Sequence, residues 1–295
     1  MPLAVLPLAR YSLGMTPTDA RRASPVYRRD AGDPRHFERA VGDLAAGLLR
    51  WRLAWELARL DIRNRYRGSV LGPFWMTVST AAMVAGIGIL YSTLFKIPLV
   101  QYMPWLAVSL LVWTTINQTV VDSCQSFVAA EGVIRQMPLP YTLHVLRFVI
   151  RNAIVAAHSL PLIAIVLALT GAIPGPEALL AIPGLLLIAV NACAVGLFLG
   201  MICARFRDIP QIVASVMQLA FFLSPVLWKP ELLGEAAVWL PLNPFFAVME
   251  TVRGPLVAGG ASVAVWGAAL AYTALSCTLA MVFFVRFRGR IAFWV

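Results

Sequence analysis

Charged residues are scarce in this sequence, and their scarcity limits what the chain can be. Of its 295 residues, 13% are Asp, Glu, Lys or Arg, whereas 60% are hydrophobic. Soluble domains usually carry about 25% charged residues and roughly 45–50% apolar ones. A single soluble core cannot hold such a surplus of apolar side chains. The composition therefore argues against a cytosolic enzyme and indicates a protein that lies in a membrane.

The signatures of catalysis and of metal binding are also missing. The four cysteines are Cys124, Cys193, Cys203 and Cys277. They lie far apart without metal-ligand or disulfide spacing, so we predict that they are packing residues. The sequence has no HExxH, no GxSxG and no Asp-rich metal motif, and neither Lys96 nor Lys229 follows a glycine as in a phosphate-binding loop. We predict no catalytic residue, no metal or cofactor bound by this chain, and no ATP hydrolysis of its own.

Lysine is nearly absent as well, since arginine supplies 22 of the 24 basic residues, and the net charge is +10. A positive charge of this size can indicate a nucleic-acid partner. The arginines, however, lie mainly in a leading segment and between apolar runs. This arrangement favours a membrane face and predicts no nucleic acid among the partners. The bias towards arginine is typical of a GC-rich bacterial source.

The first 71 residues divide into two segments. Residues 1–42 are rich in Pro and Arg, and their apolar start precedes the first charge, Arg10, which is the reverse of a secretory signal. We predict a flexible cytoplasmic tail there. In residues 43–71, apolar side chains recur at three- and four-residue steps from Leu44 to Ile62 while arginines occupy other faces. This pattern predicts an amphipathic helix in the membrane interface and the approach to the first span, the alternative being a surface helix of a soluble domain.

Residues 72–295 are predicted to form an all-α integral membrane domain. A span needs roughly 20 apolar residues to cross about 30 Å of hydrocarbon. Six stretches qualify, and they are residues 72–95, 105–121, 150–170, 178–204, 212–228 and 263–285. The segment 229–260 is apolar only in short pieces broken by prolines, so we expect two short re-entrant helices between the fifth and sixth spans.

The basic residues predict the orientation of these spans. With a cytoplasmic N-terminus, every basic residue except Lys96, Lys229 and Arg253 falls in a cytoplasmic segment, in agreement with the positive-inside rule. An even number of spans then returns the C-terminus to the cytoplasm. We predict a multi-pass protein of the bacterial inner membrane with both termini inside.

Ionisable residues at depth are few, which argues against an ion-coupled carrier. Asp122 lies near the inner end of the second span, and Arg147 and Arg151 lie near the inner start of the third. We predict that these three pair with each other or reach the interface. His158 is expected to be a packing residue, and Glu250 can line the outer mouth of a path.

The loop after the second span, EGVIRQMPLP, is the most informative cytoplasmic segment. Val133, Ile134 and Met137 can share one face of a short helix that Pro138 and Pro140 then end. This pattern predicts an exposed apolar knob, flanked by Glu131 and Arg135, that fits a groove on a cytoplasmic partner. A simple loop explains the segment equally well. A second cytoplasmic turn brings together Arg205, Arg207 and Asp208.

Three segments resemble one known family. They are DIRNRYRGSVLGPFW at 61–75, FRDIPQIVASVMQLAFFLSPVLW at 206–228 and LNPFFAVMETVRGPL at 242–256. They are similar to stretches in the membrane subunits of ABC exporters for lipid-linked polysaccharides, which include O-antigen, capsule and teichoic-acid permeases. The resemblance covers about residues 45–295, and the first forty residues are longer than is usual in that family.

The resemblance implies a homodimeric permease that binds two copies of a separate cytoplasmic ABC ATPase, which holds ATP and Mg. The substrate would be a glycan on a polyprenyl diphosphate, moved from the cytoplasmic to the outer face. By this match, residues 131–139 transmit the ATPase motion and residues 205–209 make a second contact. Arg65, Tyr66 and Arg67 would meet the diphosphate of the carrier, since arginine binds phosphate in a bidentate manner. Anchoring of these arginines at anionic lipid is the alternative.

Aromatic residues in the spans are candidates for the sugar path. They are Tyr91, Trp105, Trp113, Phe127, Phe221 and Phe222. Polar neighbours that can bond to sugar hydroxyls are Thr114, Thr115, Asn117 and Gln118. Three other functions stay open at this point: export of a drug or small lipid by the same architecture, a membrane transferase acting on lipid-linked sugars, and an ion-coupled carrier.

Overall fold

The structure, a computed structural model, describes residues 36–295, and every regular element within that range is helical. The α-helices of the described range are α1 His36–Leu49, α2 Trp51–Arg65, α3 Phe74–Phe95, α4 Leu99–Ser123, α5 Glu131–Gln136, α6 Tyr141–Ala157, α7 Leu160–Thr170, α8 Ala181–Arg205, α9 Ile209–Leu223, α10 Pro244–Val257, α11 Val263–Phe287 and α12 Ile291–Trp294. Short 3₁₀ segments lie at Val128–Ala130, Pro176–Leu180, Pro230–Leu242 and Arg288–Arg290. The predicted all-α fold class is confirmed, and most of the predicted tail, residues 1–35, lies outside the described residues.

The segment predicted as one amphipathic helix forms two, α1 and α2, which meet at Arg50. Because α1 begins at His36, residues 36–42 are helical, whereas we predicted a flexible tail there. Both helices pack on α6 through small residues. Contact is tightest at Gly47, where a Cβ would lie 2.7 Å from the Cβ of Thr142. The tryptophans of α2 stay exposed, as expected of a helix at a membrane interface.

Five continuous helical segments are long and apolar enough to cross a membrane, and they match five of the six predicted spans. They are α3, α4, α6 with α7, the 3₁₀ segment Pro176–Leu180 with α8, and α11 with α12. The third span begins at Tyr141, nine residues before the predicted start at 150. The prediction placed that start too late because it treated Arg147 and Arg151 as the boundary. Both arginines lie within α6 and pair with carboxylates.

The fifth predicted span, 212–228, is only partly helical. Helix α9 has 15 residues, so it is about 22 Å long and is too short to cross the hydrocarbon alone. It ends at Ser224, which is extended, as the residue before Pro225 is expected to be. After this break, residues 225–228 continue alongside α4. Their position is marked by the hydroxyl of Tyr102, in the first turn of α4, which donates to the carbonyl of Leu227. Residues 209–228 thus follow α4 along its length.

The stretch predicted to hold a re-entrant pair forms two short helices with a sharp bend between them, a geometry that fits a re-entrant pair or a broken span. The 3₁₀ segment Pro230–Leu242 and α10 meet at 108°. Asn243 lies at the tip and caps α10, since its Oδ1 accepts from the amides of Phe245 (2.9 Å) and Phe246 (3.2 Å). The Tyr272 hydroxyl donates to the Leu242 carbonyl at 2.6 Å. Because Tyr272 lies nine residues into α11, about 14 Å from its start, the tip reaches the middle of the bundle.

Close packing of α8 on α10 holds this pair in place. At Gly184, near the start of α8, a Cβ would lie 2.5 Å from the carbonyl oxygen of Thr251 in α10. No side chain fits in that space, so glycine is required for the two helices to approach this closely. The apolar core around them includes Val248, Met249 and Val252 of α10. Helix α10 is therefore an integral part of the bundle core.

We name the end of the bundle where α1, α5 and α12 lie the basic end, and Asp43 is its central buried group. One Asp43 oxygen accepts from the amide (3.0 Å) and the hydroxyl (2.9 Å) of Thr142, and the other accepts from the amide of Tyr141 (3.2 Å). Arg288 donates to the second oxygen through Nε at 2.9 Å and Nη2 at 2.8 Å. Asp43 thereby caps α6 and joins three separate parts of the chain.

We expect Asp43→Ala to destabilise the protein by about 3 kcal/mol, because it leaves the first amides of α6 and the partly buried Arg288 without their acceptor. The measurement is equilibrium unfolding of the purified protein in mixed micelles. The matched control is Glu56→Ala, which removes an exposed pair with Arg59 at 3.5 Å and is expected to change stability by less than about 1 kcal/mol. Equal effects of the two substitutions would contradict the role of Asp43.

Candidate functional site

Helix α5 connects α4 to α6 at the basic end. Its six residues begin at Glu131, which pairs with Arg135 at 2.8 Å one turn later. The helix stops at Met137, which is extended, as the residue before Pro138 is expected to be. The short helix predicted for this loop is present.

Ile134 does not belong to the exposed apolar knob that was predicted to include Val133, Ile134 and Met137. It is buried in one cluster with Phe127 and Ile291, because α12 packs against α5. Val133 is half-buried. Only Met137, with 54% of its surface exposed, presents a large apolar side chain to an outside partner. The knob is smaller than predicted.

The second predicted contact is the turn between α8 and α9. Arg205, Arg207 and Asp208 are all exposed there. The Arg205 guanidinium lies 5.6 Å from the ring centre of Phe206, which is itself exposed. The turn is thus accessible and carries two arginines, one carboxylate and one aromatic ring.

An ionic network joins α2, α4 and α6. Arg147 donates to both oxygens of Asp61, with its Nε 2.7 Å from Oδ2. Arg151 donates to Asp122 at 2.6 Å and lies 3.9 Å from Asp61. The predicted pairing is confirmed for Asp122 with Arg151, whereas Arg147 binds Asp61, which sequence analysis had missed. The sequence feature that could have revealed this pair is the position of Asp61, the one carboxylate among Arg59, Arg63 and Arg65 at the end of α2.

The three residues predicted to meet a diphosphate lie at the border of this network. Arg65 is half-exposed and its guanidinium lies 4.0 Å from the nearest oxygen of Asp122. Tyr66, at the end of α2, is half-buried, and Arg67 is exposed. Two guanidinium groups thus stand close in sequence at the point where the chain leaves α2 for α3.

A cleft of about 410 Å³ lies between α4 and α9. Its lining residues are Trp113, Asn117, Val121, Ala214, Met217, Gln218, Phe221 and Phe222. The ring of Trp113 lies 5.7 Å from that of Phe221, which in turn lies 5.2 Å from that of Phe222. Three of the six predicted path aromatics therefore meet in one place, together with two side-chain amides.

The other three predicted path aromatics lie outside this cleft. Phe127 is fully buried against Tyr141, 5.9 Å away between ring centres. It therefore contributes packing and lines no path in this structure. Tyr91 is half-buried and packs on Phe95 at 5.3 Å. Trp105 is buried, and its ring contacts the guanidinium of Arg253.

Of the four predicted polar neighbours, only Asn117 lines the cleft. Thr114 and Thr115 both donate to the carbonyl of Leu111 in their own helix. Gln118 donates to Asp122 at 2.7 Å. The second amide of the cleft is Gln218 of α9, which the sequence analysis did not single out because nothing in the periodicity fixes how α9 is rotated.

Arg253, one of the three basic residues predicted to lie on the non-cytoplasmic side, is buried inside the bundle. Only 1% of its surface is exposed. It donates to the carbonyl of Pro225 at 2.5 Å, to the hydroxyl of Ser109 at 3.0 Å and to the carboxylate of Glu250. Its guanidinium also lies 4.4 Å from the ring centre of Trp105. Glu250, predicted to line an outer mouth, is instead the partner of this arginine.

The lining of the cleft is of a kind that binds a ligand. Within residues 36–295, no three side chains of His, Cys, Asp or Glu come together as ligands for a metal. Apolar and aromatic walls with a few amides are typical of sites that bind and orient a ligand. The residues that line the cleft carry no charge.

We expect Arg253→Lys to loosen the re-entrant pair, because one ammonium group cannot reproduce the planar fork that reaches Glu250, Ser109 and Pro225 together. Hydrogen–deuterium exchange over residues 230–257 is expected to rise by about tenfold or more, since the loss of even one buried hydrogen bond to a charged group is worth about 1.5–3 kcal/mol. The control Arg205→Lys, at an exposed position, is expected to leave that exchange unchanged. Wild-type exchange in Arg253→Lys would contradict the role given to the fork.

Comparison with known proteins identifies relatives of this chain. Residues 52–257, more than half of its length, match the family described as ABC-2 type transporter. The chain is similar to the O-antigen export system permease protein RfbA of Klebsiella pneumoniae, with 22% identity over 198 residues, which cover 65% of this chain and 75% of that protein.

A second relative comes from another bacterium. The chain is 25% identical over 205 residues to the O-antigen export system permease protein RfbA of Myxococcus xanthus, and the match covers 67% of this chain and 77% of that protein. The family match includes α3 to α10, and with them the cleft, the ionic network and α5. This multi-pass membrane protein therefore belongs to the ABC-2 type transporter family of permeases, a membership that implies partnership with an ABC ATPase subunit.

Proposed function

We propose that this chain is the permease subunit of an ATP-driven exporter that moves a polyprenyl-diphosphate-linked glycan from the cytoplasmic to the outer face of the bacterial inner membrane. The observation that carries the proposal is the cleft between α4 and α9, in which aromatic rings and amides converge. The relatives of this chain are named as O-antigen export permeases, which supports a glycan as the substrate over a drug or a small lipid.

The chemistry of the cleft suits a sugar. The rings of Trp113, Phe221 and Phe222 offer apolar faces on which the C–H face of a pyranose can stack, and Asn117 and Gln218 offer donors and acceptors for hydroxyl groups. No charged residue lines the cleft. The glycan can therefore pass from one set of weak contacts to the next without a strong binding site that would hold it.

A second copy of the chain completes the path in this proposal. One wall of the cleft, α9, exposes a row of large apolar side chains. They are Ile212, Val216, Leu219, Phe222 and Leu223. Lipid can cover such a row, but a glycan cannot pass beside lipid tails without losing the hydration of its hydroxyls. A homodimer that encloses two clefts separates the sugar from the lipid.

In this proposal the ABC ATPase subunit supplies the energy. The basic end faces the cytoplasm, in accordance with the positive-inside rule. Two ATPase subunits bind ATP and Mg and press on α5 through Glu131, Arg135 and Met137. Val133 and the buried Ile134 hold α5 against the bundle. The exposed turn of Arg205, Arg207 and Asp208 makes the second contact.

The lipid carrier is proposed to meet Arg65, Tyr66 and Arg67 first. Arg65 and Arg67 are accessible at the end of an interfacial helix, where the headgroup of a membrane lipid lies. A diphosphate brings several oxygen acceptors and suits two guanidinium groups in fork geometry. The 4.0 Å separation of Arg65 from Asp122 leaves this guanidinium free to turn towards a phosphate.

The proposal is tested by purifying the complex from its native host with an ATPase partner that binds but cannot hydrolyse ATP. We expect an ABC ATPase to co-purify in equal number with the permease, together with a glycan on a polyprenyl diphosphate identified by mass spectrometry. A co-purified drug or small lipid in place of the glycan would support the other kind of exporter. The absence of any ATPase would contradict the proposal.

Phe222→Ala is expected to lower glycan export by about tenfold, because one aromatic stacking contact with a sugar is worth about 1–1.5 kcal/mol. Leu186→Ala is the matched control, since Leu186 of α8 lies outside the cleft lining and is about equally exposed, at 64% against 62% for Phe222. The measurement is the amount of surface glycan in cells that contain equal amounts of each variant. Equal export by the two variants would contradict the assignment of the cleft.

A further inference from the structure

A polar pocket of about 240 Å³ lies beside the ionic network, between the ends of α2 and α4 and the first half of α6. Its walls are formed by the four residues of that network together with Gln125, His144 and Phe148. We call it the network pocket. Gln125 is exposed, so the pocket opens to the outside there. It shares no lining residue with the cleft between α4 and α9 and is a separate site.

His144 is a buried side chain in the wall of this pocket, with 2% of its surface exposed. Neither of its ring nitrogens has a hydrogen-bond partner within residues 36–295. The buried Nε atom of Arg151, in the same wall, has none in that range either. Buried polar atoms without partners cost free energy and are rare in folded proteins. Three of them around one pocket indicate that it receives a ligand with hydrogen-bonding groups.

The chemistry of the lining decides what kind of ligand fits. The Nε atom of Arg151 can only donate, whereas a neutral imidazole offers one donor and one acceptor. The two carboxylates of the network are balanced by its two guanidinium groups, so an ion of either sign would meet a like charge in the pocket. A hydroxyl group both donates and accepts and carries no charge. The lining therefore favours an uncharged ligand that bears several hydroxyl groups.

The size of the pocket fits one sugar ring. A single water needs roughly 10–15 Å³ of such a cavity, whereas pockets for drug-sized ligands usually measure about 300–1,000 Å³. The 240 Å³ of the network pocket lies between these two sizes. The ring of Phe148 supplies an apolar part of the wall, on which the C–H face of a pyranose can stack.

We propose that the network pocket binds one sugar ring, the one joined directly to the diphosphate of the glycan carrier. This inference rests on the proposed function, because the carrier is the one named there. Arg65, where the diphosphate is proposed to bind, lies 4.0 Å from Asp122 in the wall of the pocket. A sugar attached to that diphosphate is therefore within reach, and its hydroxyls pair with His144 and Arg151. Such a site lets the permease distinguish a loaded carrier from an empty one.

The test compares the binding of two lipids to the permease–ATPase complex in nanodiscs. One is the lipid-linked glycan isolated from the native host, and the other is polyprenyl diphosphate without a glycan. His144→Leu is expected to lower the affinity for the lipid-linked glycan by about tenfold, or about 1.4 kcal/mol, because hydrogen bonds to the sugar are lost. The affinity for the bare diphosphate is expected to stay unchanged. His144→Gln, whose amide offers a donor and an acceptor, is expected to restore most of the affinity for the glycan.

The matched control is Asn152→Leu. Asn152 lies on the same helix, is 5% exposed, and its Nδ2 atom also has no hydrogen-bond partner within residues 36–295, but it does not line the pocket. This substitution is expected to leave the affinity for both lipids unchanged. Thermal unfolding of the complex without added lipid is expected to be no lower in either leucine variant, because each removes buried polar atoms that have no partner in the protein.

Two results would overturn the inference while the wild-type complex still binds the lipid-linked glycan, so that the proposed function stands. Equal losses for both lipids in His144→Leu would show that His144 acts only through the fold. Wild-type affinity for both lipids in that variant would show that the pocket takes water alone. A wild-type complex that binds no lipid-linked glycan would contradict the proposed function itself.

Discussion

The buried guanidinium of Arg253 is the interaction on which the rest of the structure depends. A re-entrant chain inside a bundle must satisfy its own polar groups, because lipid offers no hydrogen-bond partners. Arg253 donates to the carbonyl of Pro225, which follows the break in α9, and to Ser109 of α4. It thus joins α10 to both walls of the cleft. Glu250 neutralises its charge, so an otherwise costly buried ion becomes a fixed point of the fold.

The position of the cleft follows from this fixed point. Phe245, at the start of α10, lies 5.7 Å from Trp113 between ring centres. Asn243 sets the start of α10 and also donates to Ser224 at 3.0 Å, directly after α9. The ring of Trp113 is therefore held between α9 and α10, and the cleft keeps its aromatic wall only while the re-entrant tip stays in place.

The sequence predicted those features that depend on composition along the chain. Five of the six spans, the bent pair before α11 and the pairing of Asp122 with Arg151 follow from hydropathy, proline positions and charge. The predictions that were wrong for individual side chains concern which side of a helix is buried. Ile134 was predicted to be exposed and Phe127 to line a path. Ile134 is instead covered by α12, and Phe127 packs against α6. Nothing in the charge pattern revealed that Arg253 is buried, because its partners Ser109 and Pro225 lie far from it in sequence.

The two ends of the protein are connected chiefly through α4. Its last turns carry Asp122 within the ionic network, its middle carries Trp113, and its first half carries Ser109, which accepts from Arg253. In α4, 67% of the span is buried inside the chain, against 22% of α3. Helix α9 is held less firmly, since only Met217 and Ala220 of its residues are buried. Because α4 is buried along most of its length and α9 is not, α9 is the wall of the cleft that has the least packing within the chain.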